Sequence, residues 1–380
     1  MQSPDIKPRI LKEEQEQHLS PYAARSASGL GRLTAEEPCS VRTDYERDTG
    51  RIIFSMDFRR MRHKTQVFFD PQNDHICTRM EHVIYVNYIA NTIGRALNLN
   101  ADLIQAVAMG HDLGHAPFGH SGEKTLDTCL KHRPGGLFFQ HEVHSLRVVD
   151  YLAARSGHIG LNLTFEVRDG IASHCGETYG EYVLLPDRAK KPEDLRASAL
   201  QHGRPATLEG CVVRLADKIA YIGRDIEDAA RAGIMEFEDL PAAIQSSLGR
   251  SNGQIINTLV TDIIANSYGQ DAIILSRERG ESMEELLREN VARIYKSDKI
   301  NRYEKMAANV VEGLFEALLP WTADPERLAG SEHKVLRSFR SYMMERHYPE
   351  HEDGRQMVVD YIAGMSDAFA RKSFEDLYWF

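Results

Sequence analysis

Apolar residues recur along most of this chain every three or four positions, the period of helices that bury one stripe. Between residues 79 and 97, Val86, Ile89, Ile93 and Leu97 share such a stripe with His82, so a histidine points where aliphatic side chains point. This spacing predicts a helix from about Arg79 to Leu97. Leu103, Ile104, Val107 and Ala108 repeat the pattern and predict a second helix over Asp102 to Met109. His111 and Asp112 follow Val107 and Ala108 by four residues, at the end of that buried face. If the two helices pair antiparallel, His82 lies beside them.

The next stretch, HDLGHAPFGHSGE from His111 to Glu123, places three histidines, an aspartate and a glutamate among thirteen residues and is broken by Gly114, Pro117 and Gly119. It is too polar for core and too irregular for one helix. Ser121 is the expected N-cap of a helix running to about Leu130. Further helices are expected over Glu142 to Arg155 and through FEVRDGIAS to about His174. Pro186, Pro192, Pro205 and their charged neighbours interrupt Gly176 to Leu208, where a mobile loop is expected.

Gly210 opens GCVVRLADKIAYIGRDIEDAARAG, with Val212, Leu215, Ile219, Ile222 and Ile226 on one face and Asp217, Tyr221 and Asp225 spaced four and four in a row. A carboxylate adjoining such a stripe is costly unless it is paired or holds a cation. Amphipathic helices follow at Ser282 to Lys296, Lys305 to Leu319, His333 to Arg346 and Arg355 to Arg371. Strand alternation goes no further than a short hairpin, so an all-α fold is expected. Three regions are expected: residues 1–44 as a partly flexible N-terminal arm that orders against a partner subunit, 45–235 as the core, and 236–380 as a C-terminal helical region for packing and oligomerisation.

Composition narrows the class. At 380 residues, 42% apolar and 27% charged, the chain can bury one large core or two ordinary ones. A net charge of -10 argues against a general nucleic-acid coat. The basic cluster Arg59, Arg60, Arg62, His63 and Lys64 reads first as a solvated face and second as a phosphate contact. Five scattered cysteines with no paired spacing indicate reduced thiols and neither a disulfide frame nor a cysteine zinc site. The charged N-terminal stretch and the lack of a run of roughly 18 apolar residues predict a cytoplasmic protein with no membrane partner.

A lone His-Asp dipeptide is usually a surface pair. Here 11 of the 16 histidines fall between His63 and His174. His82, His111, Asp112 and Asp217 offer two imidazoles and two carboxylates, a set that suits one divalent ion (Mn, Mg, Ni, Fe or Zn) with positions left open. Such an ion favours phosphoester or phosphoanhydride hydrolysis.

The ordered strings RIIFSMDFRRMRHKTQVF, HDLGHAPFGHSGE, LNLTFEVRDGIASH, LEGCVVRLADKIAYIGRDIEDA and INRYEKMAANVVEGLFEALL resemble the deoxyguanosinetriphosphate triphosphohydrolase-like (dGTPase) family of HD-domain dNTP triphosphohydrolases, from about Tyr45 to Leu319. The resemblance implies an HD-domain helical fold with additional C-terminal helices. It also implies metal-dependent hydrolysis of dGTP or several dNTPs to deoxynucleoside and tripolyphosphate. It assigns the metal to His82, His111, Asp112 and Asp217, and acid-base chemistry to His120 with Glu123, with His115 and His141 near the α-phosphate. Gln66, Tyr221 and Asp225 fall to the deoxyribose, Lys218 and Arg79 to phosphate, and Arg302 to a neighbouring subunit's site. A homo-oligomer, commonly a hexamer, and regulation by a second dNTP or single-stranded DNA are further implications. Two departures concern the pocket: FQHE around His141 where the family reads Phe-Glu-His-Asn, and RMEHV at His82 where it reads Arg-Leu-Thr-His-Ser. The rival readings are an HD phosphohydrolase acting on another nucleotide and a non-catalytic dNTP sensor.

Overall fold

The computed structural model describes residues 7–66, 77–155, 157–175, 180–346 and 348–378, and it is helical almost throughout. The elements that position the site are α1 (Pro8–Glu16), α2 (Asp44–Ile53), α3 (Arg79–Ala96), α4 (Ala101–Gly110), α5 (Gly119–Lys131), α6 (His141–Arg147), α7 (Phe165–Ala172), α8 (Leu208–Ile222) and α9 (Arg224–Arg231). They are followed by α10 (Arg277–Asn290), α11 (Asp298–Leu318), α12 (Lys334–Arg346), α13 (Gly354–Ala363) and α14 (Asp367–Tyr378).

Local chemistry sets where the central helices begin. Thr78 accepts from the Glu81 N–H while Glu81 accepts from the Thr78 N–H, closing a capping box on α3. Asn100 caps α4 through the amides of Asp102 and Leu103, and Thr207 caps α8 through Gly210 at 3.1 Å. Each cap stabilises its helix by about 1 kcal/mol. The three helices bury Val86, Ile89, Ile93, Leu103, Ile104, Val107, Val212, Leu215 and Ile219 against one another, so the predicted α3–α4 pair and the α8 stripe share one core.

That first core continues to Ile300, beyond the expected boundary at residue 235. A second core joins α5 to α11, α12, α13 and α14 through Leu126, Leu130, Leu314, Phe315, Phe339 and Ile362. Polar contacts between the C-terminal helices and the His111–Glu123 stretch connect the two. The buried Lys64 Nζ donates to the carbonyls of His115 (2.6 Å) and Ala363 (2.7 Å). Asp367 accepts from Thr65 and from the Phe118 N–H.

Several expectations are corrected. The N-terminal arm orders against its own chain over residues 7–44. Arg9 pairs with Asp44, Arg32 with Asp44 and Asp48, and the buried Glu16 accepts from Ser26 and Asn100. Ser121 does not cap α5. The helix begins at Gly119 behind Phe118, which takes a left-handed φ of 64° and offers no side-chain cap. The helix expected to reach Arg155 stops as α6 at Arg147, passes through one wide turn (Val148–Leu152) and enters a two-residue hairpin of β1 (Ala154–Arg155) and β2 (His158–Ile159). The expected mobile loop holds β3 (Val183–Leu184), paired antiparallel with β4 (Ile273–Ile274), and a short helix at Leu195–Leu200; Gly176 to Tyr179 lie outside the described residues. The Gly210 helix starts at Leu208 and breaks at Gly223 into α8 and α9, and Asn290 donates to the Ile222 carbonyl released there. The last predicted helix likewise breaks between Ala363 and Asp367.

Candidate metal centre and active site

His82 sits in the first turn of α3 and points into the core, 3% exposed. His111 closes α4, and its Nδ1 donates to the Ala108 carbonyl at 2.8 Å. That bond fixes the tautomer and leaves the buried Nε2 as a lone pair with no partner among the described residues. The His82, His111 and Asp112 donors lie within 4.8 Å of one another. Asp217, from the middle of α8, reaches them: its Oδ1 is 2.9 Å from His82 Nε2 and 3.8 Å from His111 Nε2. The histidines around Asp217 outweigh its burial and hold its carboxyl below the usual range. The four predicted ligands therefore converge from three helices, and they offer a mixed N/O set with a free imidazole lone pair that fits a divalent cation.

Asp112 also accepts from Arg79 Nη1 at 2.6 Å, with both side chains buried. Burial works against the charge on Asp112, but Arg79 and the neighbouring histidines keep it ionised, well below the normal carboxyl range. Arg79 Nε and Nη2 have no acceptor among the described residues.

Gly114 lets the turn after the dyad lie flat on α6. A Cβ there would stand 2.1 Å from the Ser145 amide nitrogen, so the backbones of the two segments touch. The result is an imidazole cluster. His115 stacks on His141 with centroids 4.4 Å apart and planes at 23°. Glu123 accepts from His141 Nδ1 with both oxygens at 3.0 Å and from its backbone N–H at 2.8 Å. His120, the most exposed member, places Nδ1 3.5 Å from the same carboxylate. Burial pushes His115 well below the ordinary imidazole value, with Arg79 and His141 adding to the effect. Burial also opposes a charge on His141, but the Cys175 thiol and Glu123 raise its pKa well above normal. The two stacked imidazoles are thus pushed in opposite directions.

A cavity of about 350 Å³ gathers these groups, within the range of small-molecule sites. Gln66, Arg79, His115, His120, His141, Lys218, Tyr221 and Asp225 all line it together with His82, Asp112 and Asp217. Gln66 Oε1 is buried without a partner among the described residues. Burial raises Asp225 to about 7 even though the Tyr295 hydroxyl donates to it. Lys218 lies 3.7 Å from Glu181. Arg302 is exposed on α11 and is absent from the lining. Glu142, in the departing FQHE string, turns to His202 at 2.9 Å and does not line the cavity either.

Sequence reasoning missed His174, Cys175, Glu181 and Tyr295 as lining residues. For His174 a signal was present. It follows the end of α7 as His111 follows α4, and its Nδ1 donates to the Ile171 carbonyl three residues back at 2.7 Å.

The chain matches the HD domain over residues 79–222 and the phosphohydrolase-associated domain over residues 273–376. It is 40% identical to a deoxyguanosinetriphosphate triphosphohydrolase-like protein of Caldanaerobacter subterraneus subsp. tengcongensis, covering 99% of this chain and 98% of that one. Proteins of the same description from Desulfatibacillum aliphaticivorans (37%, covering 95% of each chain) and Thiobacillus denitrificans (34%, covering 96% and 98%) are similar over comparable lengths. No helix among the described residues is long and apolar enough to cross a membrane.

Proposed function

The chain belongs to the deoxyguanosinetriphosphate triphosphohydrolase-like family of HD-domain phosphohydrolases, and from that premise we propose that it hydrolyses 2′-deoxynucleoside 5′-triphosphates to the deoxynucleoside and tripolyphosphate. One observation carries the reading: the four-donor metal set, the Glu123-centred imidazole cluster and the Tyr221–Asp225 wall meet around a single cavity. A phosphomonoesterase needs the first two and has no use for the third.

His82, His111, Asp112 and Asp217 would hold one divalent ion, which supplies Lewis acidity toward a phosphoryl oxygen and a nucleophilic water at neutral pH. Arg79 supports the charge on Asp112 and would offer phosphate the two nitrogens that have no acceptor among the described residues. His141, held at Nδ1 by Glu123, would present its positive charge to the phosphate when protonated. The 5′-alkoxide is a poor leaving group and must be protonated. His120 performs this step: it shares Glu123, lines the cavity and, unlike His141, does not have its second nitrogen engaged by Cys175. Gln66 and Asp225 address the 3′-hydroxyl, and Tyr221 fills the place of a 2′-hydroxyl. Assembly into a homo-oligomer brings the exposed Arg302 to a neighbour's site, with a second dNTP or single-stranded DNA as effector. This reading places the enzyme in the cytoplasm.

The test is a panel of the four dNTPs and four NTPs with Mn²⁺, Mg²⁺, Ni²⁺, Fe²⁺ and Zn²⁺, the products being resolved by anion exchange. Tripolyphosphate with free deoxynucleoside supports the reading. Orthophosphate as the first product favours another nucleotide substrate, and binding without product over hours favours a sensor.

A further inference from the structure

We propose a second metal site in the same cavity, formed by His141, His174 and Cys175 and selective for a thiophilic ion of the Zn²⁺ type, whose occupation blocks the cavity. Cys175 Sγ lies 3.0 Å from His141 Nε2 and 3.3 Å from His174 Nε2, and the three donor atoms fall within 4.8 Å of one another. With Zn–N near 2.1 Å and Zn–S near 2.3 Å, a tetrahedral ion sets N and S about 3.6 Å apart. Openings of a few tenths of an ångström therefore seat it.

The surroundings are those of a built ligand set. His174 Nδ1 is committed to the Ile171 carbonyl at 2.7 Å, and His141 Nδ1 to both Glu123 oxygens at 3.0 Å. Each ring is held from behind so that its Nε2 faces the sulfur, as in carboxylate–histidine–zinc and carbonyl–histidine–zinc arrangements. The donor chemistry differs from that of the neighbouring site. Two imidazoles and a thiolate suit Zn²⁺, whereas two imidazoles and two carboxylates suit harder ions. Binding releases the Cys175 thiol proton and the proton on His141 Nε2, both to solvent, and no redox change is involved. All three side chains line the cavity, so the open fourth position faces the space the substrate takes. That inhibitory consequence rests on the nucleotide reading above, while the ligation itself does not.

The experiment uses full-length Cys39→Ser protein, because Cys39 is the other cysteine that is not fully buried. It is loaded with Mn²⁺ and titrated with Co²⁺ as a spectroscopic probe. A thiolate-to-cobalt charge-transfer band should appear, saturate at one ion per chain and be bleached by Zn²⁺. Adding Cys175→Ser should abolish it. In dNTP hydrolysis with Mn²⁺, Zn²⁺ should inhibit, with a midpoint that rises at least roughly tenfold in the Cys175→Ser protein relative to its own zinc-free rate. Failure of the band to appear, or its survival in Cys175→Ser, overturns the site. A normal band with hydrolysis indifferent to Zn²⁺ overturns the inhibitory role. A normal band in a protein that turns over no dNTP upholds the site and removes the nucleotide reading instead.

Discussion

Arg79→Met separates the structural work of this site from its chemistry. The guanidinium donates to Asp112 at 2.6 Å with both partners almost fully buried, and the substitution leaves a buried carboxylate without its guanidinium partner. Breaking a buried pair in this way costs about 3–5 kcal/mol. Unfolding entropy of roughly 2.1 cal/mol/K per residue over 380 residues gives about 0.8 kcal/mol/K. The melting temperature should therefore fall by about 4–6 °C in EDTA. With saturating Mn²⁺ a cation beside Asp112 takes over the compensation, and the fall should shrink to less than about half of that. Differential scanning calorimetry of both proteins in EDTA and in Mn²⁺ measures the difference directly. A fall of the same size in both buffers would show that Asp112 does not meet the cation, and one below about 1 °C in EDTA would show that the pair carries no stability.

Gly114→Ala should abolish activity and destabilise by several kcal/mol, because its Cβ would collide with backbone 2.1 Å away; soluble yield and melting temperature check this. Glu209 is fully buried, accepts from the Ala24 and Asn100 amides at 3.0 Å, and is raised by burial from 4.5 to about 7. The folded state binds the proton more tightly than the unfolded state does, so this group removes stability progressively from pH 4.5 up to about 7, by at most about 3 kcal/mol. Glu209→Gln should match the parent at pH 4.5 and exceed it at pH 8, as read by melting temperature across that range. Glu123→Gln removes a main support of the His141 charge. It should lower kcat by about 10²–10⁴-fold and move the alkaline limb of its pH profile to lower pH, and an unmoved limb would exclude His141 as the required cation. Tyr221→Ala should admit ribonucleotides and lower the dNTP-to-NTP ratio of kcat/KM by at least about tenfold.

The parts legible in the sequence are those that depend on periodicity. α3, α4 and α8 were visible because their stripes repeat over several turns, and His82 could be placed beside His111 and Asp112 because two antiparallel helices leave little freedom. What could not be read depends on partners distant in the chain. Residues 7–44 carry no period because salt bridges from Arg9 and Arg32 and the Glu16 hydrogen bonds dock them in place of an apolar face. The break at Gly223 depends on Asn290, which satisfies the Ile222 carbonyl from 68 residues away. His174 has no adjacent carboxylate to mark it as Asp112 marks His111, although the same histidine-after-helix arrangement occurs at both places.

The charges of the site explain why its acids are tolerated in so buried a place. Each carboxylate already faces a cationic or proton-sharing partner within 3.0 Å: Asp112 meets Arg79, Asp217 meets His82, and Glu123 meets His141. A dication alone would add positive charge to a balanced cluster and compete with the protons on His82 and His141. A triphosphate alone would bring several negative charges against Arg79, Lys218 and those same imidazoles. Arriving together, the two come much closer to cancelling, and the carboxylates released from protein partners are taken up by the ion. Under the proposed function, ion and nucleotide binding are therefore expected to be coupled, each strengthening the other by the same factor. That coupling follows from the protein's own ion pairs, before any step of the reaction is considered.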